Sequence, residues 1–148
     1  MHPPPLAPIG QRQVHLDFHT SEHLENIGDA FSKEGFQAAL KIGNIDSINL
    51  FAKCHHSWSY YPTDIGRMHP NLNFDLLGAQ LEACAELGIK TQIYYTFGWS
   101  ANDAQDHPEW CVRDRDGNFV TNGSLPEDIA PSDPLPGFHW KFLCPNTG

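Results

Sequence analysis

The chain of 148 residues is 40% hydrophobic and 18% charged, which suits one globular domain with a real core and argues against disorder. Eighteen acidic residues against nine basic ones give a formal charge of -9, and Lys and Arg are scattered rather than striped, so nucleic acid is not an expected partner. No stretch approaches the roughly 18 apolar residues that span a bilayer, and the first residues lack the basic and apolar regions of a signal peptide, so no membrane partner and a cytoplasmic location are expected.

Residues 1–12, with prolines at 3, 4, 5 and 8, read as a disordered arm. Residues 13–20 alternate: Val14, Leu16 and Phe18 share one face and His15, Asp17 and His19 the other, the two-residue period of a strand. A polar segment comes next, then a helix is predicted over residues 33–42, with Ser32 as N-cap and Gly43 as the stop.

The second strand starts near Ile48 and changes character along its length. Ile48, Leu50 and Ala52 form an apolar face, whereas Asn49, Phe51, Lys53 and His55 make the other face increasingly polar. Past Lys53 come Cys54, His55, His56, Trp58, Tyr60 and Tyr61. Polar tips mixed with flat apolar rings suit a polyhydroxylated ring such as a sugar.

A second helix is expected over residues 74–87, capped by Asn73 and ended by Gly88, with Phe74, Leu77, Leu81, Cys84 and Leu87 at helical spacing as core. The third strand covers residues 90–96 and leaves through Phe97-Gly98-Trp99. His107-Pro108-Glu109-Trp110 reads as a turn of helix, and Asp114 to Asn118 as a tight turn between short strands. The tail over residues 121–148, with prolines at 126, 131, 134, 136 and 145, reads as an irregular loop leading to a missing third helix. The four cysteines lack paired spacing and read as reduced packing thiols.

Helix-to-strand links are a few residues long, and strand-to-helix links a dozen or more. Parallel strands with right-handed crossovers put all the long links at the carboxyl ends of the strands, the active-site face of a TIM barrel. The fold class expected is α/β, a partial (β/α)8 barrel whose first three parallel strands and their helices occupy residues 13–120. A whole barrel needs about 250 residues; a small complete α/β domain is the competing reading.

The segments Val14 to Ser21, Phe51 to Thr63, Asp75 to Gly78 and His107 to Trp110 resemble a family of glycoside hydrolases related to α-L-fucosidases and to the barrel domains of β-galactosidases, over about residues 12–120. The resemblance implies a segment of an enzyme acting on a fucoside- or galactoside-like glycosidic bond. It also implies that His19, His55 and His56 line the sugar pocket and that Tyr94, Tyr95 and Trp99 match a Tyr-Tyr pair and subsequent Trp. Cys54 stands between Lys53 and the histidine pair where the fucosidases have an unbroken Lys-His-His. One residue of slip turns a side chain to the other face, which leaves open the histidine that points inward.

The substrate-binding residues expected are therefore His19, Lys53, His55, His56, Trp58, Tyr95 and Trp99, with Trp58 and Trp99 as stacking platforms because each closely follows a strand end. Glycoside hydrolysis needs two carboxyl groups. Of the candidates, Asp17 is expected to be buried and hydrogen-bonded and Glu109 to serve a helix dipole, so with Asp114 no pair emerges. By the resemblance the nucleophile lies in a later strand, and no hydrolysis is expected from this chain alone. No cofactor or metal is called for. The second reading is a metal-dependent barrel hydrolase using His15, Asp17 and His19, and the third a non-catalytic carbohydrate-binding or assembly module; self-association is left open.

Overall fold

The structure, a computed structural model, describes residues 10–122 and 140–147 and runs β1 (Gln13–His15), α1 (Lys33–Ile42), β2 (Ser47–Lys53), β3 (Trp58–Ser59), β4 (Arg67–Met68), α2 (Leu76–Glu86), β5 (Lys90–Tyr95) and α3 (Ala101–Asp106), with a 3-10 turn at Pro108–Trp110. Both β1 and β5 run parallel to β2 and pair with its first three residues, so they flank it on opposite sides. The three parallel strands linked through helices are thus as expected, in a mixed sheet that β3 and β4 extend.

The alternation of β2 sorts its two faces. Ile48, Leu50 and Ala52 are buried with Leu40 of α1 and Leu77 and Cys84 of α2, and each Ile or Leu side chain among them contributes about 1.5–3 kcal/mol when removed from water. Phe51 goes the other way, into a cluster with Cys54, Tyr60, Ile27, Leu72 and Leu76. Salt bridges of Lys33 to Glu82 and Glu86 and hydrogen bonds from Gln37 to Ala83 and Glu86 tie the outer surfaces of α1 and α2.

The helix ends obey capping chemistry. Ser32 accepts a hydrogen bond from the Gly35 amide at 3.0 Å, as expected of the cap. Gly43 closes α1 in a right-handed conformation, and the left-handed step falls on Asn44 (φ 50), a residue type that tolerates it. The α2 cap is Asp75 rather than Asn73: its carboxylate accepts from the Gly78 amide at 2.7 Å. Phe74 therefore precedes the helix and packs with Phe31 in the opposite cluster.

The first strand stops at His15, five residues short of the expected Thr20. The Lys53 carbonyl accepts from Thr96 beyond β5, while the Ala52 carbonyl and Cys54 amide bond Tyr60 and Trp58. Alternate residues point to opposite edges, so β3 occupies the flank of β2 along which β1 would have continued. Leu16 leaves the sheet and is 51% exposed. The segment beyond it is held by Tyr60, a fully buried side chain whose hydroxyl donates to the Phe18 carbonyl at 2.9 Å and lies 2.7 Å from the Thr20 hydroxyl.

The short elements β3, β4 and α3 are not expected from the residue pattern. Part of the tail also departs from an irregular loop: residues 141–143 form isolated antiparallel bridges to Thr121, Trp99 and Cys111. The turn at Asp114 forms as expected, with Arg113 bridged to Phe119 and Gly117 in the left-handed region. Most of the proline-rich arm, residues 1–9, and residues 123–139 and 148 of the tail lie outside the described residues.

Tyr60→Phe removes a hydroxyl that the Phe18 carbonyl and the buried Thr20 hydroxyl use, and the loss expected is about 1–3 kcal/mol. Urea denaturation should show a lower midpoint at unchanged slope; an unchanged midpoint would remove Tyr60 as the anchor of the loop after β1.

Candidate functional site

At the carboxyl ends of the three parallel strands, rings from separate parts of the chain meet. Phe51 of β2 stacks on Tyr94 of β5 at 4.2 Å between centroids, forming a floor against which His15 and His19 stand edge-on. His19 stacks on His55 at 4.0 Å. The Tyr94 hydroxyl lies 2.5 Å from His55 Nε2, and the Trp99 and Trp140 rings meet the His55 ring edge-on at 5.3 Å.

Hydrogen bonds settle the protonation of His19. Its Nδ1 accepts from the His55 backbone amide at 3.1 Å, so the ring proton sits on Nε2, 3.0 Å from Asp17 Oδ1. Burial pushes the His19 pKa down, partly countered by Asp17. His55 is pushed from 6.5 to about 4 by burial and then by His19, so its ring is neutral at neutral pH. Burial also raises the Tyr94 hydroxyl, which stays protonated. The cluster presents uncharged donors and acceptors between aromatic surfaces, beside one ionisable carboxyl.

That carboxyl corrects an expectation. The Asp17 side chain is 69% exposed rather than buried, because β1 ends before it, although it does bond His19. Glu109 is exposed and engages His107 at 3.1 Å, and Asp114 accepts from the Asp116 and Asn118 amides in its turn, so both carboxyls are held in local contacts. Among the described residues no three His, Cys, Asp or Glu side chains are arranged to hold a metal ion, and His15 Nδ1 already accepts from the Asn49 amide at 3.0 Å. The geometry offers the metal reading no support.

The expected substrate-binding residues fall into separate groups. His19, His55 and Trp99 meet in the cluster. His56 lies beside it, with Trp140 edge-on at 4.9 Å, on the wall of a neighbouring cavity of about 340 Å³. Lys53 and Tyr95 line a different cavity of about 260 Å³ with Phe97 and Trp110. The register explains the separation: Phe51 pairs with Tyr94 but Lys53 pairs with Tyr95, two steps on β2 against one on β5. Lys53, 7% exposed, is neutralised there by Asp103. Trp58 packs half-buried against the core, with its indole donating to Glu22 at 3.3 Å.

Several contributors were not among the expected binding residues. Tyr94 rather than Tyr95 reaches the histidines, a distinction that depends on the register shift. Ser57, Ser100 and Asp103 bond one another and hold α3 against the turn after β2: the Ser57 and Ser100 hydroxyls are 2.7 Å apart, and Ser100 donates to Asp103 at 2.6 Å. Ser57 takes a left-handed φ of 76 while 2% exposed, a costly conformation for a residue other than glycine and one that this network holds in place.

A family model described as hypothetical glycosyl hydrolase 6 matches residues 32–148. Among solved structures, alpha-L-fucosidase isoenzyme 2 from Paenibacillus thiaminolyticus is similar at 45% sequence identity and a TM-score of 0.74, over 88% of this chain and 18% of that one. The chain thus spans less than a fifth of that enzyme's length. No curated protein matches it.

The electrostatics lead to two expected outcomes. The unfolded His55 takes up a proton near pH 6.5, but the folded ring refuses it until about pH 4, so its contribution is present above 6.5 and lost as pH falls across that window. Urea midpoints should drop through this range, and less steeply in His55→Gln; an equally steep drop removes His55 as a source of the acid sensitivity. Asp103→Ala leaves Lys53 buried and unpaired and should cost about 3–5 kcal/mol, whereas Lys53→Met should cost much less. Equal thermal shifts for the two variants would refute the buried-charge account.

Proposed function

Because the chain belongs to the hypothetical glycosyl hydrolase 6 family, we propose that it forms the sugar-binding part of a glycoside hydrolase acting on a fucoside- or galactoside-like substrate. The observation that carries the reading is the convergence of His19, His55, Tyr94 and Trp99 at the carboxyl ends of adjacent parallel strands. Residues 13–120 would be the first three strand-helix units of a (β/α)8 barrel, a fold whose active sites lie at that end. The similarity to alpha-L-fucosidase isoenzyme 2 supports both the fold and the sugar class.

In this reading the neutral His55 ring and the Tyr94 hydroxyl bond sugar hydroxyls, and the exposed Asp17 carboxylate accepts another. His19, with both ring nitrogens engaged, positions His55. The aromatic edges of Trp99 and Trp140 bound the ring. His56 reaches the same sugar only from the neighbouring cavity, and Lys53 and Tyr95 support the strand end from the far side of the shift in register. The carboxyl pair for bond cleavage comes from outside these residues, so binding rather than turnover is the property to measure.

Calorimetric titration with methyl α-L-fucoside should give saturable binding and no release of methanol. Tyr94→Phe and Asp17→Asn should each weaken it about tenfold with little change in thermal midpoint, the loss of about 1.4 kcal/mol per removed bond. Full affinity in both variants would sink the cluster as a sugar site.

A further inference from the structure

His69, between β4 and α2, is a buried titratable side chain that the histidine cluster does not use: it is 1% exposed and lies against the Trp58 and Tyr60 rings. Both of its ring nitrogens are engaged. Nδ1 accepts from the Asn71 backbone amide at 3.1 Å, so the ring proton sits on Nε2, which donates to the Ser21 carbonyl at 3.0 Å. Only the neutral ring can do both, because an imidazolium has no lone pair to offer the Asn71 amide.

What the ring holds is the segment after Thr20. Tyr60 fixes Phe18 and Thr20 at one end and Ile27 enters the core at the other, whereas residues 22–26 between them are exposed. That span is attached through polar contacts: the Ser21 carbonyl to His69, the Glu22 and Leu24 carbonyls to the Asn71 side-chain amide at 3.0 and 2.8 Å, and the Glu22 carboxylate to the Trp58 indole. A segment with so little buried apolar surface opens locally at low cost. Ser21, Glu22 and His23 also form one wall of the cavity of about 340 Å³, so their displacement uncovers it.

The groups around the ring set the direction of its response. Burial is the largest influence and lowers the His69 pKa; the Ser21 carbonyl and the Glu22 carboxylate oppose it, and His56 adds to it. Backbone hydrogen bonding keeps Glu22 charged below the usual carboxylate range, the exposed His23 lies 3.8 Å from it, burial keeps the Tyr60 hydroxyl protonated, and Arg67 of β4 is turned to Asp106. With its folded pKa below the ordinary 6.5, the ring contributes fully above that pH and loses its contribution as pH falls through the folded value.

We infer that His69 is an acid-released latch, whose protonation frees residues 21–26 from the cavity wall while the sheet and helices stay folded. The latch is independent of what the histidine cluster binds.

Amide hydrogen exchange followed by NMR on the full chain tests it. The reporters are the Leu24 amide, which donates to the Ser21 carbonyl at 3.1 Å, and the Asn71 amide. Both are expected to lose protection between about pH 7 and about pH 5, in step with protonation of the His69 ring read from its carbon resonances, while amides of α1, α2 and β2 keep theirs. His69→Asn keeps an acceptor for the amide two residues on and removes the titration, so the Asn71 amide should be equally protected at both pH values. Asn71→Ala, at a half-buried position, should already expose the Leu24 amide at about pH 7, and it decides the matter with the unaltered chain if His69→Asn does not fold. Leu24 protection that persists at about pH 5, that falls while the His69 ring is still neutral, or that falls only together with the α1 and α2 amides overturns the latch. So does an Asn71 amide that still responds to pH in His69→Asn, or full Leu24 protection in Asn71→Ala.

Discussion

The Tyr60 side chain is the contact on which the arrangement at the strand ends depends. It is fully buried, its hydroxyl bonded to the Phe18 carbonyl and the Thr20 hydroxyl, and its ring packs on Phe18 at 4.7 Å. Its backbone accepts from Leu77 at the start of α2 and donates to Ala52 of β2. One residue thus joins the segment after β1, the middle of the sheet and the helix layer. A phenol at such a position must find partners for its hydroxyl, and the two it finds fix where His19 stands.

From that constraint the histidine cluster acquires its character. With the segment after β1 folded over β2, His19 lies on His55 and bonds its backbone, and the two rings share a partly buried space against Phe51 and Tyr94. Burial in such surroundings disfavours a charged imidazole, and for His55 the neighbouring His19 ring adds to it, so the pKa values of both rings are lowered. A hydrogen-bonding surface walled by aromatic rings is chemically suited to hydroxyl groups.

The register shift between Phe51 and Lys53 divides the polar end of β2 between two surroundings. A strict alternation would leave Lys53 and His55 on one face. With the extra step, Lys53 turns to Asp103 and Tyr95 while Cys54 enters the core with Phe51. The ion pair and the linked Ser57, Ser100 and Asp103 hydrogen bonds then position α3, and α3 supplies the amides of the adjoining cavity. A local irregularity in one strand in this way parts Lys53 and Tyr95 from the histidine cluster.

Much of this was legible from residues alone. The alternation in β2, the Ser32 cap and the lengths of the links gave three parallel strands with helices between them, because periodicity and capping are local properties. That His19 and His55 would gather at the carboxyl ends of those strands was legible for the same reason. What only the tertiary structure decided was which of two adjacent residues faces the histidines: Tyr94 rather than Tyr95, and Lys53 away from His55. The departure at Cys54 hinted at a slip, but its outcome depends on pairing with β5, some forty residues along the chain. Asp17 ended exposed, and Trp140 reached His55, through contacts just as distant in sequence. Side-chain direction beyond a strand end is set by what packs against it, and no local pattern carries that information.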